Sequence, residues 1–348
     1  MIQEQVPLAP LTTLGIGGPA RWFVEAASEP EIVDAVSWAR ERAVPLFVLG
    51  GGSNLLVSDA GFAGLVVHIA SRGIDVEENA GGRVYSVAAG EIWDGFVERV
   101  VRAGDAGIEC LAGIPGTVGG TPVQNVGAYG QEVSETVERV RVLDLETLDF
   151  KTMTNAECGF AYRTSLFNSS QRGRFLVTRV GYRLKPGGAA NRRYADLQKA
   201  FPTDTEPSLA EVAAEVRRVR RAKGMLLVEG DADCRSAGSF FKNPIVAAGR
   251  LAELASRLGV EPPHYPAGEG WVKLPAAWLI EKAGFRKGFA LGRAGISSRH
   301  TLALVNLVGL GLGGATAAEI LALHDVILEG VERVFDIRLE MEPVLLGF

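Results

Sequence analysis

The run AGIPGTVGGTPVQNVGAYG, residues 112–130, sets the terms for the whole chain. Glycines recur through it without the spacing of a helix or a strand, and Gln124 and Asn125 add hydrogen-bonding amides. Such a loop can present backbone N–H groups to one anion with no side chain in the way. A shorter run does the same after the strand PLFVLG: Gly50, Gly51 and Gly52 are followed by Ser53, Asn54 and Leu55. Either cluster alone reads as a tight turn or an ordinary surface loop. Two of them within 130 residues point to a bound pyrophosphate-bearing cofactor. Neither contains the GK[ST] of a nucleotide-binding P-loop.

Around these loops the pattern is α+β. RWFVEAA reads as a strand, and Ser28 with Glu31 forms a capping box before the helix IVDAVSWARERA. RVYSVAAG reads as a strand, and EIWDGFVERVVRAG as a helix with Ile92, Phe96, Val100 and Val101 turned inward. VERVRVLDLE and RFLVTRVGYRLKP alternate as half-buried antiparallel strands do. LAEVAAEVRRVRRAKG reads as a helix whose end crowds Arg217, Arg218, Arg220, Arg221 and Lys223. That crowding is either a solvated face favoured by the helix dipole or a phosphate-binding corner. The tail FDIRLEMEPVLLGF alternates, with Phe335, Ile337, Leu339 and Met341 on one face.

Composition limits the function. The chain has 348 residues, 47% hydrophobic and 22% charged, the ordinary mix of a globular protein with two or three domains. A net charge of −5 argues against broad affinity for nucleic acid. No basic leader followed by an apolar stretch is visible, and no apolar run is long enough for a membrane span. Three dispersed cysteines suit a reducing cytoplasm, and four histidines without HExxH spacing argue against a metal.

Several motifs fail on inspection. Gly309, Gly311 and Gly314 spell G-x-G-x-x-G, but Thr316 and Glu319 cap a helix two residues too late and the chain ends soon after. GIGGPA near residue 15 has no strand before it. No G-x-S-x-G elbow exists, since Ser53 and Ser239 both lack the second glycine. What remains is polar residues in apolar settings. Tyr162 and Arg163 lie within FAYRTSLF, where the arginine either snorkels off a strand edge or is held for a ligand. Tyr194 sits in RRYADL, and Lys242, Asn243 and Lys273 are further candidates for holding phosphate. SAGSFFKNP, residues 236–244, places Ser239 between a glycine and two phenylalanines.

VLGGGSNLLV, GIPGTVGGTPVQNVGAYG, FAYRTSLF, RSAGSFFKNP and LEMEPV resemble, in order and approximate spacing, the UDP-N-acetylenolpyruvoylglucosamine reductases of peptidoglycan precursor synthesis. The resemblance runs over essentially the whole chain, and RRYADL looks like the tyrosine loop of the longer, type I members. It implies an FAD-binding fold of the vanillyl-alcohol oxidase/p-cresol methylhydroxylase type plus a C-terminal α+β substrate domain. The expected division is 1–70 and 71–227 for FAD, the latter joined by 331–348, and 228–330 for substrate.

The resemblance further implies that NADPH reduces FAD and that the enolpyruvyl UDP-sugar then replaces NADP+ at the same site. Hydride passes to C3 of the enolpyruvyl group, with Ser239 as proton donor to C2. Arg163 and Glu342 match the pair that polarises the carboxylate, Glu340 being the neighbouring alternative. Lys242 is a first guess for the group that readies Ser239, and Phe240 and Phe241 for residues that exclude water.

Flavin contacts are implied at Gly50, Gly51, Gly52, Ser53, Asn54, Leu55, Gly113, Ile114, Pro115, Gly116, Thr117, Gly119, Gly120, Asn125, Gly127, Ala128, Tyr129 and Val177. Tyr194, Lys223, Asn243 and His300 match positions that hold the UDP-sugar, with Tyr162, Lys242 and Lys273 beside them. A monomer without nucleic acid, metal or membrane is expected. The competing reading is a flavin alcohol oxidase of the same fold. Those enzymes often tether FAD through His or Cys, and no histidine lies in either glycine loop.

Overall fold

The computed structural model describes residues 1–79, 81–202, 204–307 and 313–348. Packing divides them into two compact units. The first comprises 1–6, 20–52 and 63–222, and the second 7–19, 53–62 and 223–348. The chain passes from one to the other inside the GGGSN run, between Gly52 and Ser53.

The first unit contains two sheets. One has four strands in the order Gln3–Pro7, Pro19–Ala26, Phe62–Ile69, Leu46–Leu49, the last two parallel. The helix Glu29–Glu41 supplies the crossover layer and buries Ile32, Ala35, Val36 and Ala39. The Ser28 side chain accepts from the Glu31 N–H as the sequence predicts, while the Glu31 carboxylate bonds the Ala27 N–H. The second sheet runs Phe150–Thr154, Val137–Asp144, Phe175–Pro186, Gly82–Ala88, Ile74–Asn79 through antiparallel pairs. The two strands expected to alternate, Val137–Asp144 and Phe175–Pro186, are direct neighbours.

One apolar core joins both sheets with the helices Trp93–Arg102 and Leu209–Ala222. The inward face of Trp93–Arg102 is Trp93, Phe96, Val97 and Val100; Ile92, expected inside, is the N-cap residue and 54% exposed. A cap residue lies outside the helical repeat, so its periodicity does not aim it at the core.

The second unit is built from short strands around the helix Ala317–Phe335. Its start carries the capping box read from the sequence: Thr316 Oγ1 accepts from the Glu319 N–H at 3.2 Å, and Glu319 Oε2 from the Thr316 N–H at 2.8 Å. Gly309 and Gly311 of the rejected G-x-G-x-x-G lie outside the described residues. Burial alternates along the tail as expected, with Ile337 and Leu339 inside and Arg338 and Glu340 outside. The helix, however, extends through Phe335 and closes on a left-handed Asp336, so the ladder strand is only Val344–Leu346. That strand pairs in parallel with Leu55–Val57. The C-terminal segment belongs to the second unit, where its last strand is matched to residues 55–57. Among the described residues no helix is long and apolar enough to cross a membrane.

Candidate active site

In the first unit the two glycine runs meet. A Cβ on Gly51 would lie 2.6 Å from Gly116 Cα, and one on Gly50 would lie 2.7 Å from Thr117 Oγ1. Only glycine permits main chain to approach main chain this closely. The 113–120 turn is fixed from beneath: the Val118 and Gly119 N–H groups bond the Glu91 and Ala89 carbonyls, and the Trp93 N–H bonds the Gly116 carbonyl.

Side chains hold its first residue from both directions. Asp94 Oδ1 accepts from the Gly113 N–H at 2.6 Å and from Arg217 Nη2 at 2.6 Å. Arg220 Nε donates to the Gly113 carbonyl at 3.0 Å. Burial pushes the Arg220 pKa down, opposed by the nearby Tyr129 and Asp94. Of the two readings of the crowded helix end, Arg218 takes the solvated one, in an ion pair with Glu215. Arg220 is only 8% exposed and lies under a glycine turn.

The far end of the loop is tied to the segment carrying Arg163. Asn125 Nδ2 donates to the Ala161 carbonyl at 3.1 Å and to Glu132 Oε2 at 2.8 Å, and Asn125 Oδ1 accepts from the Ser134 N–H. Its side chain is thus taken up in shaping the loop. Ser165 Oγ donates to the Val123 carbonyl at 2.6 Å. Between these ties Arg163 occupies a turn, closed by Ala161 and Thr164, with φ of 54°. It is not on a strand edge. Its guanidinium lies over the Tyr162 ring at 5.5 Å and comes within 3.4 Å of where a Cβ on Gly127 would sit. Tyr129 packs edge-on against Tyr194 with ring centres 5.3 Å apart. Val177 is buried in the Phe175–Pro186 strand, opposite Val142.

In the second unit the segment 236–244 is stitched at nearly every turn. Ser236 pairs with Val305, the Phe240 N–H bonds the Leu302 carbonyl at 2.7 Å, and Phe241 pairs with Met341. The Glu342 N–H donates to the Phe240 carbonyl at 3.0 Å and the Lys242 N–H to the Glu340 carbonyl at 2.9 Å. Asn243 Oδ1 accepts from the Ala276 N–H, the first residue of the helix Ala276–Lys282.

Ser239 follows a left-handed Gly238 and is half-buried. Its hydroxyl bonds no other described residue. Phe240 and Phe241 turn into the core, where Phe241 stacks on His324 at 5.2 Å, so they form the floor beneath the serine rather than a cover over a ligand. Lys242 Nζ is 3.2 Å from Glu340 Oε2, while the Glu340 carbonyl and the Glu342 N–H both bond the main chain of the serine segment. Glu342 is linked on its other side to Asn54, whose Nδ2 donates to the Glu342 carbonyl at 3.3 Å.

Leu55 is buried in the strand paired with the C-terminus, and Ser53 precedes it. Lys273 lies on the Trp271–Lys273 strand, between Ile245 and Tyr265. His300 accepts the Leu302 N–H at Nδ1, which places its proton on Nε2. Burial, with the nearby Lys223 and Lys287 ammoniums, pushes its pKa down to about 4. Lys287 was not apparent from the sequence, where nothing marks it out from other surface lysines.

An FAD group fits what is present: a glycine cradle that a single Cβ would fill, with a buried cation, Arg220, beneath it. Residues 20–147 match the FAD binding domain family. Residues 230–346 match the C-terminal domain family of UDP-N-acetylenolpyruvoylglucosamine reductase.

The chain is 47% identical to the UDP-N-acetylenolpyruvoylglucosamine reductase of Thermobifida fusca over 99% of its own length and 98% of that protein. It is 46% identical to the enzyme of that name from Streptomyces coelicolor, over 99% and 91%. The crystal structure of the reductase from Thermus caldophilus covers both chains in full, with 28% identity and a TM-score of 0.68. The α+β class and the FAD-binding portion expected from the sequence therefore stand. The chain belongs to the UDP-N-acetylenolpyruvoylglucosamine reductase family.

Proposed function

We propose that this protein reduces UDP-N-acetylenolpyruvoylglucosamine to UDP-N-acetylmuramate in the cytoplasm, with NADPH as reductant and FAD as the bound carrier. Gly50–Gly52 and Gly113–Gly120 would hold the FAD pyrophosphate on their backbone N–H groups. When bound, FAD supplies the redox chemistry, taking two electrons from NADPH and passing them as hydride to C3 of the enolpyruvyl group.

The remaining work falls to side chains. Reduction places a basic carbanion at C2 and adds charge to the adjacent carboxylate. Ser239 Oγ donates the proton that C2 receives, and its oxygen is reprotonated from solvent. Arg163 as a cation, and Glu342 as an acid whose proton makes a hydrogen bond to the carboxylate, bind it more tightly as its charge grows, which lowers the barrier rather than the ground state. His300, neutral at pH 7, can donate only from Nε2, and Lys223 and Lys287 add the positive charge that a diphosphate needs. Tyr194, Tyr162, Asn243 and Lys273 complete the substrate set.

The observation that carries the reading is the serine segment. One hydroxyl bonded to no other described residue is held by main-chain bonds to 302 and 342, with a glutamate in the adjoining position. The test is the visible spectrum of the purified protein, recorded before and after NADPH and then with the enolpyruvyl substrate. A yellow protein bleached by NADPH and recoloured by substrate supports the reading. A colourless protein, or a flavin that NADPH cannot reduce, refutes it.

A further inference from the structure

Glu109 lies outside every motif considered so far. Its side chain is 1% exposed, and all its partners among the described residues are neutral N–H groups. Oε2 accepts from the Gly107 N–H at 2.8 Å. Oε1 accepts from Gln131 Nε2 at 2.9 Å and from the Asn191 N–H at 2.7 Å. A carboxylate removed from water without a cation is costly unless its oxygens are filled by donors, so each of these bonds matters more than a surface one would.

The three donors come from separate stretches of chain, and the third opens the segment that carries Tyr194. Other bonds converge on the same residue. Asn191 Nδ2 donates to the Gly130 carbonyl at 3.0 Å, Asn191 Oδ1 accepts from the Arg193 N–H, and Cys110 Sγ donates to the Asn191 carbonyl at 3.2 Å. Burial and then the Glu109 charge push the Cys110 pKa up, which keeps it a thiol and hence a donor. Gln131, the second donor to Glu109, accepts from the Cys110 N–H and directly follows the Tyr129–Gly130 turn. The carboxylate thus joins the end of the 112–130 loop to the start of the tyrosine segment, and Tyr129, just before Gln131, meets Tyr194, just after Asn191.

We infer that Glu109 is a positioning residue: through Asn191 and Gln131 it sets Tyr194 against Tyr129 and so fixes where the tyrosine segment meets the sugar nucleotide. The last clause rests on the proposed function; the anchoring does not. The test therefore has two readings.

Hydrogen exchange of residues 190–195 is compared in the FAD-loaded protein for wild type, Glu109→Ala, Glu109→Gln and Asn191→Ala, with the strand 175–186 as internal control. Loss of a buried anchor speeds exchange by roughly tenfold or more in 190–195 alone, and Glu109→Gln, which keeps an acceptor for Asn191, restores part of the protection. Asn191→Ala keeps the main-chain N–H that bonds Glu109 and removes only the side-chain bonds to Gly130 and Arg193, so it serves as the comparison. Gln131→Ala, measured alongside, removes a side-chain donor from the carboxylate and decides the matter if Glu109→Ala does not fold.

Steady-state kinetics then show KM for the enolpyruvyl UDP-sugar raised by about tenfold with kcat little changed, and flavin reduction by NADPH unaffected. Unchanged exchange in 190–195, or acceleration spread equally over 175–186, overturns the anchoring. Faster exchange with an unchanged KM overturns its link to substrate. A protein that does not use the UDP-sugar refutes the functional reading, while the exchange result still decides the anchor.

Discussion

In the first unit two glycine turns meet main chain to main chain, and side chains from neighbouring helices, Asp94 and Arg220, grip the backbone of Gly113. In the second unit the arrangement is reversed. The backbone of 236–244 is held by other backbone, from 302, 305 and 340–342, and a side chain, Ser239, is what it displays. A surface that offers N–H groups needs residues without side chains, and so leaves a mark in composition. A surface that offers one hydroxyl needs an ordinary residue in a fixed place, and leaves almost none.

The sharpest way to break this comparison is at the two glutamates of the serine region. Glu342→Gln should slow substrate-dependent reoxidation of the flavin by roughly 10²–10³-fold, the scale of losing one preorganised electrostatic partner. Glu340→Gln, exposed and paired with Lys242, should change it by less than about threefold. Equal effects would mean that the backbone register does not choose between them.

In the glycine region, Gly51→Ala should destabilise the protein by about 1–3 kcal/mol and weaken FAD retention, because the new Cβ would press on the backbone of Gly116 and Thr117. Gly95→Ala is the matching control. It sits within the helix Trp93–Arg102 with nothing within 4 Å of the added carbon, and should stabilise by about 0.5–1 kcal/mol. Calorimetry and flavin absorbance check both.

The smallest effect expected is one of pH. His300 has its pKa lowered from 6.5 to about 4, so folding favours its neutral form. That contribution is complete above the unfolded value of 6.5 and is lost as pH falls toward 4. Wild type should lose stability over this window, and His300→Gln should lose less, by a few degrees of Tm at most. Parallel Tm curves for the two would remove His300 as a buried neutral group.

The helices with capping boxes and the alternating strands were legible because their signals are local: Ser28 with Glu31, Thr316 with Glu319, and the period-two run 175–186 all act within a few residues. Arg220 was ambiguous although a signal existed. It stands four residues after Val216 and eight after Val212, on the buried stripe of its helix, where a solvated arginine has no place. Glu109 had no such signal, since its partners are brought to it from Gln131 and Asn191 by the fold. The serine site was legible only through resemblance, for the bonds that single out Ser239 and Glu342 link segments some hundred residues apart.

The central claim is that Ser239 gives one proton to the substrate and takes no part in the reaction with NADPH. Stopped-flow absorbance of Ser239→Ala separates the two. The account predicts flavin reduction by NADPH at close to the wild-type rate and substrate-dependent reoxidation slowed by roughly 10²–10⁴-fold, the span of a lost general acid. Reoxidation at the wild-type rate, or equal loss of both half-reactions, would contradict it.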